Sequence, residues 1–166
     1  MNNNWITLAN ATTTHALKGG VVLQLENSEE SILRKGLEVR LTLKDKIIDT
    51  CICNIQFGNK VIVYFENIST IELAQEILPF SLSVNRKDFP VLKEGEYYLV
   101  DLLGFEVFIL SDHFNLGNVI GFYSNGAQDI VRIKNKQNEM TEIPFLKPIL
   151  ERVDLETKSI WLNWYR

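Results

Sequence analysis

The side chains able to do chemistry are few and scattered. His15 and Lys18 fall in Thr12-Thr13-Thr14-His15-Ala16-Leu17-Lys18-Gly19-Gly20, where an imidazole and an ammonium stand near three hydroxyls. Nucleophilic catalysis requires a hydroxyl presented on an elbow of the G-x-S-x-G kind and a third group that orients the base, and neither pattern is present. Gly19-Gly20 lacks the spacing of phosphate-cradling loops and reads as a turn into Val21. His15 and Lys18 are therefore candidates for contact with RNA or another partner, the structural alternative being a loop that caps the end of a sheet. Cys51 and Cys53 are the only cysteines, and they and the second histidine, His113, lack metal-ligand spacing. No metal and no cofactor is expected. Two apart on a strand, the cysteines share a face near the upper Cα separation for a disulfide, and they read as small core side chains in a reducing cytoplasm.

Two further segments carry candidate binding groups. Tyr97-Tyr98 follows Glu94-Gly95-Glu96, and alternation along a strand turns one ring inward and the other out. Tyrosine suits interface centres because it adds a large contact area and a polar tip at low entropic cost, although spacing alone favours two partly buried structural side chains. Ser124-Asn125-Gly126-Ala127-Gln128-Asp129 is a turn signal in which Asp129 can bond its own backbone. Trp161, Trp164 and Tyr165 read equally as core or as an apolar patch.

These groups sit in a chain of 166 residues, 46% hydrophobic and 23% charged, a globular composition long enough for one ordinary domain or two small ones. Its 17 basic and 21 acidic residues give a net charge of -4. Residues 1–90 hold 9 basic and 10 acidic groups and residues 91–166 hold 8 and 11, so neither half is a basic domain. Stand-alone affinity for nucleic acid is thereby disfavoured, and any RNA contact is local or assisted by a protein. The start Met1-Asn2-Asn3-Asn4-Trp5 has no basic leader region, and the most apolar stretch, Tyr97 to Leu110, is interrupted by Asp101 and Glu106 and is too short to span a bilayer. A cytoplasmic protein without membrane attachment is expected.

Alternating and β-branched runs between Gly and Asn turns predict strands almost throughout. The first half offers Val21–Glu26, Glu38–Leu43, Lys46–Phe57, Val61–Phe65 and Phe80–Val84, with a hairpin turn at Phe57-Gly58-Asn59-Lys60. One helix is predicted within Ser69–Leu78, with Ser69 as N-cap, Glu72 completing a capping box and Pro79 as the stop. Arg86 to Gly95, charged and carrying Pro90, reads as a flexible boundary. Beyond it come strands at Tyr97–Val100, Glu106–Leu110, Val119–Tyr123, Ile130–Lys134, Thr141–Ile143 and within Ile160–Tyr165, with one helical turn between Pro144 and Ile149. The expected fold is all-β: two small β-barrels, residues 1–88 and 89–166, with one short helix near residues 70–78.

Several segments together resemble one family, the bacterial ribosome maturation factor RimM. Phe89-Pro90-Val91-Leu92-Lys93-Glu94-Gly95-Glu96-Tyr97-Tyr98-Leu99-Val100-Asp101-Leu102-Leu103-Gly104-Phe105-Glu106-Val107 is similar to that family's L-P-x-L-x-x-G-E-Y-Y-x-x-D-L-I-G-x-x-V. Asn125-Gly126-Ala127-Gln128-Asp129, Ile143-Pro144-Phe145 and Val153-Asp154-Leu155-Glu156 match further motifs. The resemblance implies an N-terminal translation-factor-like barrel, a C-terminal PRC-barrel, and a non-catalytic, monomeric assembly chaperone. Such a chaperone binds the immature 30S subunit through head ribosomal protein nineteen and nearby 16S rRNA, and promotes maturation of the 3' domain. It also implies that Tyr97 and Tyr98 bind the partner, with Asp101 and Asp129 as acidic or turn-shaping neighbours, and that their double alanine variant folds but loses the subunit. Where the family shows G-x-x-x-G-T-H-G-L-K-G, this chain has Ala9, Thr13 and Ala16 at three glycine positions, which predicts a differently shaped loop around His15 and Lys18. Two rival functions remain open at this point: a PRC-barrel adaptor for a non-ribosomal complex, and an rRNA-modifying or cleaving enzyme that uses His15 with Lys18.

Overall fold

The computed structural model describes residues 4–26 and 32–165. Met1–Asn3, on which part of the leader reading falls, Asn27–Ser31 and Arg166 lie outside the described residues. Contacts divide the chain into two units, Met1–Val91 and Leu92–Arg166.

The first unit is a closed barrel of β1 (Trp5–His15), β2 (Gly20–Leu25), β3 (Glu38–Thr42), β4 (Ile47–Gln56), β5 (Val61–Phe65) and β6 (Phe80–Asn85), in the order β1-β2-β5-β4-β3-β6. The longest of them, β1, has no counterpart among the strands read from sequence. Its residues Thr7-Leu8-Ala9-Asn10-Ala11-Thr12-Thr13 break the alternation because the ladder slips twice, between Thr7 and Ala9 and between Ala11 and Thr13. Consecutive Leu8 and Ala9 are both buried in consequence. A bulge places two residues against one and so inverts the facing pattern that a period of two would show. Ala9 and Ala11, fully buried and small, lie where β1 pairs with β2 and β6 together and closes the barrel, which removes the free edges a sheet otherwise exposes. In β5, Val61, Val63 and Phe65 point in while Ile62 and Tyr64 lie outward, as alternation predicts.

Between β5 and β6 the helix α1 (Ile71–Glu76) seats Ala74 in the core. Its N-cap is Thr70 rather than Ser69: the Thr70 hydroxyl accepts from the Leu73 N–H at 3.2 Å, so Glu72 lies one position too early for a capping box. Cys51 and Cys53 are not core residues either. Ile52 between them takes the inward position of β4, leaving Cys51 half-buried and Cys53 exposed, both as free thiols. Nor is Arg86 to Gly95 uniformly a linker. Arg86–Asp88 forms a 3-10 turn whose Phe89 is buried, with the Arg86 guanidinium 4.7 Å over its ring and the Asp88 carbonyl accepting from Arg34.

The second unit is a six-stranded sheet of β7 (Glu106–Ile109), β8 (Asn115–Ser124), β9 (Asp129–Lys134), β10 (Met140–Pro144), β11 (Leu150–Asp154) and β12 (Ser159–Leu162), in the order β10-β9-β8-β7-β12-β11. Val107, Val119, Val131, Ile133, Ile143, Ile160 and Leu162 form its core with Leu99, Leu102, Phe105 and Phe145. The pairing of β7 with β12 is parallel and sets Phe108 beside Trp161 on the outer face, their rings stacked at 4.8 Å. β11 escaped the sequence reading because a register shift between Leu150 and Arg152 spoils its alternation. The segment from Pro144 to Ile149 does not continue as a helix. It closes as a turn in which Leu150 N–H donates to the Leu146 carbonyl at 2.8 Å.

Candidate functional site

The tyrosine pair stands at the start of the second unit, on a segment that differs from the strand expected over Tyr97–Val100. Tyr98 is the extended N-cap of a 3-10 helix over Leu99–Leu102, and the Asp101 N–H donates to the Tyr98 carbonyl at 3.0 Å. A 3-10 turn repeats every three residues, so Leu99 and Leu102 fall on one side and enter the core together. Hydrophobic side chains at a spacing of three override the β-propensity of Tyr97, Tyr98 and Val100. Gly104 then ties the turn to β8, its N–H donating to the Val119 carbonyl at 2.8 Å and its carbonyl accepting from the Asn118 amide at 3.0 Å.

On this segment the two rings part company. Tyr98 is 6% exposed and therefore a buried side chain. Tyr97 is half-buried, its flank packed against the core of the second unit. Burial pushes the Tyr97 phenol above its ordinary pKa, and the hydroxyl, protonated at neutral pH in either case, is able to donate. Asp101 is exposed in the first turn of the 3-10 helix. Asp129 opens β9 opposite Ser124, and its carbonyl accepts from the Phe145 N–H at 2.8 Å. In the preceding turn the Asn125 amide oxygen accepts from both Ala127 and Gln128 N–H at 3.0 Å, and the Ser124 hydroxyl accepts from the Gly126 N–H at 3.2 Å.

His15 and Lys18 belong to the first unit. His15 ends β1 opposite Gly20, and Ala16-Leu17-Lys18-Gly19 forms the tip of the β1–β2 hairpin, with Lys18 exposed. Ala16 has a φ of 59° and Gly19 a φ of 84°. A Cβ on Gly19 would collide with the Ile68 carbonyl oxygen, while the Leu17 carbonyl accepts from the Ile71 N–H at 3.1 Å, so the tip lies against the chain entering α1. At Ala16 a residue other than glycine holds a left-handed backbone, a strain of roughly 1–2 kcal/mol. Glycine removes that strain but adds about 0.5–1 kcal/mol of chain entropy to the unfolded state. Ala16→Gly is expected to stabilise the protein by about 0.5–1 kcal/mol in urea denaturation, and a lower midpoint would refute the strain at this position.

Below this tip, Lys18, Cys53, Asn54, Gln56, Tyr64 and Glu66 are among the residues lining a cleft of about 530 Å³. Of these, only Lys18 and Cys53 stand out in the sequence, Cys53 as a core side chain; the others come from neighbouring strands. The outward place of Tyr64 in the alternation of β5 was the one available signal. Among the described residues, no three His, Cys, Asp or Glu side chains gather as metal ligands, and no helix is long and apolar enough to cross a membrane.

A closed β-barrel followed by a six-stranded sheet with a 3-10 turn at its threshold defines a two-unit all-β protein, and its second unit is of a known kind: residues 99–165 match the model of the RimM PRC barrel domain. Among curated proteins, the ribosome maturation factor RimM of Dichelobacter nodosus is 35% identical over 108 residues, 64% of this chain and 61% of that protein. The ribosome maturation factor RimM of Thermotoga petrophila is 28% identical over 161 residues, 95% of this chain and 90% of that protein. A crystal structure of a 16S ribosomal RNA processing protein RimM from Pseudomonas aeruginosa covers 97% of the chain at 14% identity, with a TM-score of 0.47. The second unit thus matches the RimM PRC barrel model, and along both units the chain is similar to proteins named ribosome maturation factor RimM.

Proposed function

We propose that this protein is a ribosome maturation factor that acts in 16S rRNA processing as a non-catalytic assembly chaperone. Its target is the immature 30S subunit, and it promotes maturation of the head, the 3' domain of 16S rRNA. The observation that carries the reading is the alignment of 161 residues, across both units, with proteins named ribosome maturation factors. Residues 1–88 serve as the RimM N-terminal domain and residues 89–166 as the PRC-barrel. The second of these binds head ribosomal protein nineteen, with Tyr97 as the contacting ring and Asp101 and Asp129 contributing negative charge beside it. Residues 91–166 carry 8 basic and 11 acidic groups, a net charge of -3, and an acidic surface favours association with a basic ribosomal protein and steers its approach. Tyr98 supports the fold beneath the contact. His15 and Lys18 offer a second contact, to rRNA or the subunit. The protein acts as a cytoplasmic monomer.

The test is co-sedimentation of the purified protein with free small subunits and with whole ribosomes at low and moderate salt. Selective retention on free subunits, weakening as salt rises, is the expected result. Failure to bind free subunits, together with a pull-down dominated by non-ribosomal proteins, would replace this reading with that of a PRC-barrel adaptor. Alteration of precursor rRNA by the purified protein alone would replace it with an enzyme.

A further inference from the structure

The outer face of β4 and β5 sets Asn54 opposite Tyr64 and Gln56 opposite Ile62. On the other side of Tyr64 lies Gly20, and a Cβ there would stand 3.0 Å from two carbons of the tyrosine ring. The bare glycine is thus what allows the ring to rest against β2. Glu66, two residues beyond Tyr64, and Lys18, from the hairpin tip, bring the charged groups to the lining of the 530 Å³ cleft, with Asn67 and Ser69 adding polar ones.

We infer that this cleft holds one unpaired nucleotide of an RNA strand, the base against the Tyr64 ring and the phosphodiester at Lys18. The RNA source rests on the assembly-factor reading above; the nucleotide chemistry rests on the cleft. Its volume falls in the range of about 300–1,000 Å³ that suits a small molecule or a single extruded residue. Proteins that read single-stranded RNA stack unpaired bases on aromatic rings and bond their edges with polar side chains, and Asn54 and Gln56 carry amides that both donate and accept. Charge decides between a free nucleotide and a strand. One ammonium matches the single negative charge of a phosphodiester, whereas a nucleoside polyphosphate brings several charges to a cleft that also contains the Glu66 carboxylate. Glu66, able only to accept, is suited to the N–H donors of a base.

The experiment measures fluorescence anisotropy of a labelled, mixed-sequence single-stranded pentaribonucleotide with the full chain, with AMP and ATP as free-nucleotide competitors and subunit co-sedimentation in parallel. Tyr64→Ala is expected to weaken oligonucleotide binding roughly tenfold, and Tyr64→Phe, which keeps the ring, to stay within about twofold. Lys18→Gln should lower the dependence of log affinity on log salt by about 0.7, one phosphate contact on a single strand. Thermal melts establish that each variant is folded. Unchanged binding by folded Tyr64→Ala and Lys18→Gln, or AMP or ATP competing as tightly as the oligonucleotide binds, overturns the inference. If the wild-type chain sediments with free subunits yet binds no oligonucleotide, the cleft assignment fails and the assembly role stands. If it binds the oligonucleotide through Tyr64 but ignores subunits, the assembly role fails and the nucleotide site stands.

Discussion

Gly117→Ala is expected to lower the apparent Tm by roughly 10–20 °C, from a destabilisation of about 3 kcal/mol. Gly117 lies at the irregularity in β8 where the register against β7 shifts, paired with Val107 while the next pair is Asn115 with Phe108. Its φ is 125°, a conformation that L side chains rarely adopt, and the Asn115 side chain accepts from its N–H at 2.8 Å. A Cβ would strike the Lys134 carbonyl oxygen on β9 and come within 2.8 Å of the Asn135 nitrogen, both backbone atoms that no rotamer change can move aside. Backbone strain of about 1–3 kcal/mol and displacement of a packed strand at a similar cost therefore combine. A unit of this size has roughly 4–11 kcal/mol in all, so the loss is a large share. Gly121 supplies the control. It sits in the same strand, has no positive φ and would meet nothing within 4 Å, so Gly121→Ala should leave the melt within about 2 °C. Equal Tm values for the two variants would show that the close approach at Gly117 does not constrain the sheet.

That contrast between two glycines of one strand illustrates where sequence was informative. β5 was legible because Val61, Val63 and Phe65 bury one face over five residues without interruption. The helix over Ile71–Glu76 was legible from spacing, but its cap was assigned one residue early because Ser69 and Thr70 are equally good hydroxyl donors and acceptors, and only the backbone decides which one reaches the Leu73 N–H. β1 and β11 were missed for a shared reason: each contains a register shift, and one extra residue reverses the facing of all that follows. Around the candidate site, the β-forming residues Tyr97, Tyr98 and Val100 suggested a strand, and the spacing of Leu99 and Leu102 prevailed through core burial. The glycine-to-alanine change at residue 16 predicted an altered loop. In the structure Ala16 takes a φ of 59°, and Gly19 holds 84° where a side chain would meet Ile68. No pattern along the chain could have joined Lys18 to Tyr64, since a β-hairpin tip and an outer barrel face meet only after closure.

The tyrosine pair yields a separation of stability from binding. Tyr98→Ala removes an aromatic side chain that is 6% exposed, at a cost of about 3–5 kcal/mol by comparison with other buried aromatic truncations, and the Tm should fall by roughly 12 °C or more. The double alanine variant is consequently expected to lose stability as well as the subunit, and its loss of subunit binding would be ambiguous. Tyr97→Ala is the informative variant. Its ring is half-buried, so truncation costs about 1–2 kcal/mol and leaves the second unit folded. As the contacting ring of the proposed interface it should nevertheless weaken retention on free small subunits at least tenfold, the range of aromatic interface anchors. Tyr98→Phe keeps the buried ring and should sediment with subunits as the unmodified chain does. A folded Tyr97→Ala that co-sediments normally would remove this ring from the contact and move attention to the acidic groups Asp101 and Asp129. Loss of both stability and binding in Tyr97→Ala alone would instead mean that its packed flank, and not its exposed edge, is what the second unit requires.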